Sequence, residues 1–187
     1  MEAALSMLDG RNFDDVPIAE ICLAADVSAS SFYARFPTKD ALLTTMRERR
    51  TVAVSARMRE VMAGTAWNDL PLRDAVHHLI EIYLDFVRSG EPFLRSLRQA
   101  ELRHPELAAE RVRLEALVSK LITDYLSRRL GDDEIVVGRI ALAIEVVNAS
   151  IFHAVCLPHR FLDRLPLTDE VLVDELTTMF LFYVDRR

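Results

Sequence analysis

The chain has 187 residues, 51% of them apolar, few glycines and a formal net charge of −6. That length bounds one ordinary domain or a small module joined to a larger one, and the composition, without strand-like alternation, points to an all-α protein with a sizeable core. The acidic balance excludes attraction to nucleic acid by the molecule as a whole, so any such binding must rest on a local patch.

Helix punctuation predicts the elements in chain order. A first helix, under way at Met1, ends at Asp9-Gly10, with Gly10 as a left-handed stop. A second starts in "DDVPIAEICLAA", where Pro17 suits the first turn. Asp26-Val27 makes a tight break, Ser28 caps a third helix, and that helix runs to Phe36 before Pro37. Thr38 caps a long fourth helix reaching about Met62. A fifth spans Leu72 to Ser89 with Leu72, Val76, Ile80, Tyr83 and Val87 as its apolar stripe. A short sixth follows Gly90, a seventh runs from Pro105 to Leu130, Asp132 or Asp133 caps an eighth, and Thr168 caps the last. No internal repeat or low-complexity tract interrupts this plan.

The opening "EAALSMLDG" lacks the hydrophobic run of a signal sequence, so a cytoplasmic protein is expected. The most apolar run, residues 135–158, carries Arg139, Glu145, Asn148 and His153, more polarity than a membrane span tolerates; burial in protein is expected and no membrane partner. Cys22 and Cys156 lie far apart in apolar runs, the pattern of buried reduced thiols.

The segment "ADVSASSFYARFPTKDAL" needs two faces. At about 100° per residue, Phe32 and Phe36 fall together and pack inward, while Ser30 and Ala34 point away with Ser31 and Tyr33 beside them. Ile18, Ile21 and Ala25 give the preceding helix a stripe to receive the rings. Two short helices, a three-residue break and a small hydroxylated outer face match a helix-turn-helix, in which short side chains permit close approach to a groove and hydroxyls reach phosphates. An ordinary solvated helix on a bundle surface would share the spacing alone.

The ordered residues carry more than spacing. Phe13, Ile18-Ala19, Val27-Ser28, Phe32-Tyr33-Ala34-Arg35-Phe36 and Thr38-Lys39-Asp40-Ala41-Leu42 stand in one sequence, "FDDVPIAEICLAADVSASSFYARFPTKDALL". This resembles the DNA-binding domain of the tetracycline-repressor (TetR) family of bacterial transcription regulators, over about the first quarter of the chain. The resemblance implies phosphate contacts from Ser28, Ser31, Tyr33 and Lys39, and groove contacts from Ala29, Ser30, Ala34 and Arg35. It implies a helix-turn-helix domain over residues 1–45 and a helical ligand-binding and dimerisation domain over 46–187. Three departures lower the expected affinity: Val16 replaces a frequent Thr or Ser, Asp26 replaces the usual turn Gly, and the basic arm and first turn of the first helix have no counterpart.

In the larger part, the eighth helix is apolar nearly all round from Ile140 to Val155 and must be covered on both faces. The last helix carries two apolar stripes. A four-helix dimer interface centred on Val147, Ile151, Leu176 and Phe180 is expected, with a larger monomeric core as the alternative. Trp67, His77, Phe86, Phe93, Asn148 and Phe152 are the candidate pocket residues for a small hydrophobic or aromatic effector, with His78, Glu145 and His153 nearby in sequence.

Catalysis and cofactors are not expected. Glu101 and His104 in "ELRH" have the i, i+3 spacing of a carboxylate-bridged di-iron site, but no second Glu-x-x-His follows. His77, His78 and Glu81 could hold one metal ion, but a single helix turn supplies too few ligands. The expected function is a dimeric, ligand-responsive transcription regulator, a repressor released from a double-stranded DNA operator by its effector. The alternative is a helical small-molecule-binding or interaction protein that has lost DNA binding.

Overall fold

A computed structural model describes residues 7, 11, 13–64, 67, 69–102, 104–157 and 168–185. The helix expected from Met1 to Asp9-Gly10 lies outside the described residues, as does most of the connector before Thr168. The described elements are a 3-10 turn at Phe13–Asp15, then α1 (Ile18–Ala24), α2 (Ala29–Arg35), α3 (Lys39–Ala63), α4 (Leu72–Arg88), α5 (Glu91–Glu101), α6 (Pro105–Leu130), α7 (Glu134–Cys156) and α8 (Asp169–Val184). Among the described residues there is no strand.

The helix ends follow from their capping chemistry. Free amides in the first turn find side-chain acceptors: Ser31 N–H donates to Ser28 Oγ (3.1 Å), Ala41 N–H to Thr38 Oγ1 (3.1 Å) and Val171 N–H to Thr168 Oγ1 (3.3 Å). Asp133 Oδ1 accepts from both Ile135 and Val136 amides, which settles the choice between Asp132 and Asp133. Gly131, at φ 123°, closes α6 in a conformation that an L side chain rarely adopts.

The chain forms two compact units, Met1–Val52 with Gly90–Leu114, and Ala53–Ser89 with Glu115–Arg187. The break expected after residue 45 is contiguous in sequence; these units are not, because α5 and the start of α6 pack with the N-terminal helices. In the first unit, Phe13, Val16, Ile21, Cys22, Phe32, Leu42, Leu43 and Met46 form one core with Phe93, Leu97, Ala100 and Leu107. Ser96 fastens this core at a polar point, its Oγ accepting from the buried Phe13 amide at 3.3 Å. Gly90 permits close approach of Arg50, whose guanidinium occupies the space a Cβ would need.

In the second unit α4, α7 and α8 pack on one another. Each contributes one face: Val76, Leu79, Ile80 and Leu84 from α4, Ile140, Ile144, Val147 and Ile151 from α7, and Val173, Leu176, Phe180 and Val184 from α8. Cys22 and Cys156 are buried thiols, not in a disulfide.

One expectation for α7 and α8 needs correction. Val147, Ile151, Leu176 and Phe180 are not surface residues: they are 5%, 0%, 6% and 3% exposed, consumed by the core of the unit itself. The opposite faces carry Ile135, Leu142 and Val146 on α7, and Val171, Met179 and Phe182 on α8, all exposed. Among the described residues, one face of α7 is buried and the other carries these exposed side chains. By length and composition α7 could cross a membrane.

Candidate functional site

α1 and α2 are held by Ile21 and Cys22 below and Phe32 above, with Phe32 4% exposed. The Phe32 ring meets Phe36 at 5.4 Å and Tyr33 edge-on at 5.4 Å. Between the helices Asp26 takes φ 52°, the left-handed conformation that suits glycine best and that Asp tolerates through its short polar side chain. The Val27 amide donates to Cys22 O (3.0 Å), closing the turn and setting the angle at which α2 leaves.

That geometry presents Ser28, Ala29, Ser30, Ser31, Tyr33, Ala34 and Arg35 on exposed surface. Tyr33 is half exposed (51%), with its ring braced on Phe32. Ser28 and Ser31 share a hydroxyl hydrogen bond of 2.9 Å. Arg35 lies 5.6 Å from the Phe36 ring centroid, a contact that limits the wandering of its guanidinium. Small side chains at 29, 30 and 34 leave the helix able to approach a major groove closely.

Lys39 stands apart from this group. Its Nζ donates to the carbonyls of Phe13 and Asp14 and sits 4.6 Å from the Phe13 ring centroid. Burial pulls its pKa below the usual lysine value, against the opposing fields of Asp14, Asp40 and Asp15. The ammonium therefore ties α3 to the 3-10 turn. Lys39→Ala should cost stability, on the order of 1 kcal/mol for a charged donor to backbone carbonyls, as read by urea denaturation. A phosphate contact alone would leave stability unchanged.

Val16, at the position of a frequent hydroxyl, is 1% exposed and belongs to the core. The "ELRH" residues diverge: Glu101 is buried among arginines, whereas His104 lies between Asp40 (3.1 Å) and Glu106 (3.2 Å). Sequence spacing gave no sign of the Arg47–Glu101 pair, 54 positions apart, at 2.7 Å.

In the second unit an apolar cleft of about 40 Å³ is lined by Val76, Leu79, Ile80 and Tyr83 of α4, Val118, Ile122 and Leu126 of α6, Ile144, Val147 and Asn148 of α7, and Phe180 of α8. Of the expected pocket residues only Asn148 lines it. Phe93 is a core residue of the first unit. Trp67 is packed by Tyr125 and His78 (ring centroids 5.8 and 6.1 Å), His77 faces Glu81 and Asp174, and Phe86 stacks on Tyr83. Phe152 is half-buried and absent from the lining. The sequence signal that would have found the cleft is the inward stripe of α4, since Val76, Ile80 and Tyr83 are three of its walls.

Two short helices with a capped second helix and a small, hydroxylated outer face have the helix-turn-helix arrangement. Residues 1–46 match the model of the bacterial regulatory proteins of the tetR family. The whole chain has the fold of a TetR family transcriptional regulator, PfmR from Thermus thermophilus, at 15% identity and a TM-score of 0.65, covering 99% of this chain and 98% of that one. No curated protein matches the sequence. Residues 1–46 are thus similar to the DNA-binding module of TetR family regulators, and the whole chain shares the fold of one such regulator. Regulators of the family bind DNA operators and act as dimers.

Proposed function

We infer that the protein is a cytoplasmic, ligand-responsive repressor, released from a palindromic operator by a small hydrophobic effector, and that it has no catalytic activity of its own. The apolar cleft of the second unit carries the effector half of this reading. Its walls are aliphatic and aromatic, with the Asn148 amide as a polar group to orient a ligand. At about 40 Å³ it is far smaller than ordinary ligand pockets of roughly 300–1,000 Å³. An effector must therefore part α4, α6, α7 and α8, and that work is what couples binding to a change of conformation. α3 contributes its first residues to one unit and the remainder to the other, so it is the proposed route of the signal.

Two copies would each set α2 in successive major grooves, with the exposed apolar faces of α7 and α8 joined about a two-fold axis. Exposed Ser28, Ser31 and Tyr33 would take phosphates, while Ser30 and Ala34 would read the groove largely through DNA shape. With few base-edge donors, sequence preference would rest on Arg35.

The test is salt-dependent binding of the full chain to the DNA flanking its own gene, followed by fluorescence anisotropy with and without a hydrophobic compound library. Arg35→Ala should weaken binding by about 1–3 kcal/mol and relax the sequence preference, and Tyr33→Phe should weaken binding about equally on all sequences. Binding that is absent at low salt would leave the alternative, a helical binding protein without DNA function. Binding that no compound relieves would remove the effector reading alone.

A further inference from the structure

α4 carries two adjacent histidines, His77 and His78, and Glu81 follows them. Neighbouring residues on a helix diverge by about 100°, and position 81 lies roughly 40° beyond 77, inside that arc. Glu81 therefore sits between the two imidazoles. Its Oε2 is 3.6 Å from His77 Nδ1 and 3.6 Å from His78 Nδ1, and one ligand atom from each of the three residues lies within 4.8 Å of the others. Those distances are too long for direct hydrogen bonds. They are close to the roughly 3.4 Å that separates N and O ligands placed tetrahedrally around a zinc-sized ion.

The fold adds a carboxylate from a second helix, beside the three candidate ligands and not among them. Asp174 of α8 places Oδ1 3.7 Å from His77 Nε2, on the far side of the ring from Glu81. Arg73 donates to that same Oδ1 (3.1 Å) and to Thr178 Oγ1 (3.1 Å), which fixes the carboxylate and neutralises it. At 3.7 Å this Asp174 oxygen is beyond hydrogen-bond reach of Nε2 and acts on the ring only as a neighbouring charge, on the side away from Glu81. On the other side, His78 is braced edge-on by Trp67, which is 4% exposed and the chain's single tryptophan. The side chains of His77, His78 and Glu81 are 28%, 56% and 46% exposed, so an ion can enter from solvent.

We propose that His77, His78 and Glu81 form a binding site for one divalent transition-metal ion of the zinc class, with Asp174 as the positioning residue behind His77. Two neutral imidazoles and one carboxylate suit a borderline cation, and three protein ligands leave the fourth position open to water. The site lies within the second unit and does not depend on DNA binding.

The metal-free full chain is titrated with Zn²⁺ by calorimetry and with Cu²⁺ by Trp67 fluorescence. The expected result is one ion per chain in the micromolar range, with Cu²⁺ quenching Trp67. His78→Ala and Glu81→Gln should each weaken binding at least about tenfold, and Asp174→Asn by less than either, since its carboxylate stands 3.7 Å from His77 and is paired with Arg73. The metal-free melting curve of the Glu81→Gln variant should match the parent, because that side chain is 46% exposed and makes no hydrogen bond within the cluster. A chain that takes up neither ion saturably overturns the proposal. So does uptake that survives unchanged in both the His78→Ala and Glu81→Gln variants.

Discussion

Glu101→Ala should lower the unfolding free energy by about 3–5 kcal/mol, the usual cost of breaking a buried ion pair from one side. Glu101 is 8% exposed and Arg47 is 5% exposed. The carboxylate divides its oxygens: Oε1 accepts from Arg47 at 2.7 Å, and Oε2 accepts from Arg98 at 2.9 Å and Arg111 at 3.2 Å. Arg47 also donates to the Leu107 carbonyl, so α3, α5 and α6 of the first unit meet at this point. Truncation removes the carboxylate that these arginines share and leaves a guanidinium charge buried, where water cannot recover the lost solvation. Arg98→Ala is the control. Its side chain is 41% exposed, so its loss should cost below about 1 kcal/mol. Urea denaturation of the full chain measures both. Equal, small losses in the two variants would show that the pair contributes no more than a surface ion pair.

Local chemistry made the helix boundaries legible. Ser28, Thr38, Asp133 and Thr168 each sit where a hydroxyl or carboxylate can meet first-turn amides, and each does. The reading head was legible too, because Phe32 and Phe36 differ sharply in polarity from Ser30 and Ala34, so periodicity identifies the inner face. α7 and α8 offered no such contrast. When both faces of a helix are apolar, the 3.6-residue period cannot say which one the chain itself covers, and Val147 and Phe180, expected at an interface, belong to the core. Long-range polar contacts have no sequence period at all. Lys39 reaching back to Phe13 and Asp14, Ser96 receiving the Phe13 amide and Arg47 meeting Glu101 come only with the tertiary packing. Phe93 shows the same limit: its aromatic character suggested a pocket wall, and the fold uses it as core.

Phe180→Glu and Phe182→Glu, two positions apart on α8, should fail in opposite ways. Phe180 is 3% exposed and walls the apolar cleft. A carboxylate there would be buried without a partner at a cost of several kcal/mol, a large part of the roughly 5–15 kcal/mol that stabilises an ordinary protein. That variant should lose its cooperative melting transition and aggregate. Phe182 is 74% exposed and lies across the helix from the core, so a carboxylate in the single chain stays in water and the protomer keeps its helicity. In a two-fold dimer built on the exposed faces of α7 and α8, each copy would bury that charge against apolar neighbours such as Met179, Leu142 and Val146, and symmetry doubles the penalty. A loss of about 4 kcal/mol weakens association by roughly a thousandfold, enough to leave monomers at micromolar concentration. Operator affinity should fall with it, because a single reading head keeps only half the contacts while α2 itself is untouched. Sedimentation velocity and circular dichroism on the same samples separate the cases. A Phe182→Glu chain that sediments as the parent dimer would move the interface to another face, and a parent chain that runs as a monomer would remove the two-headed mode of DNA reading.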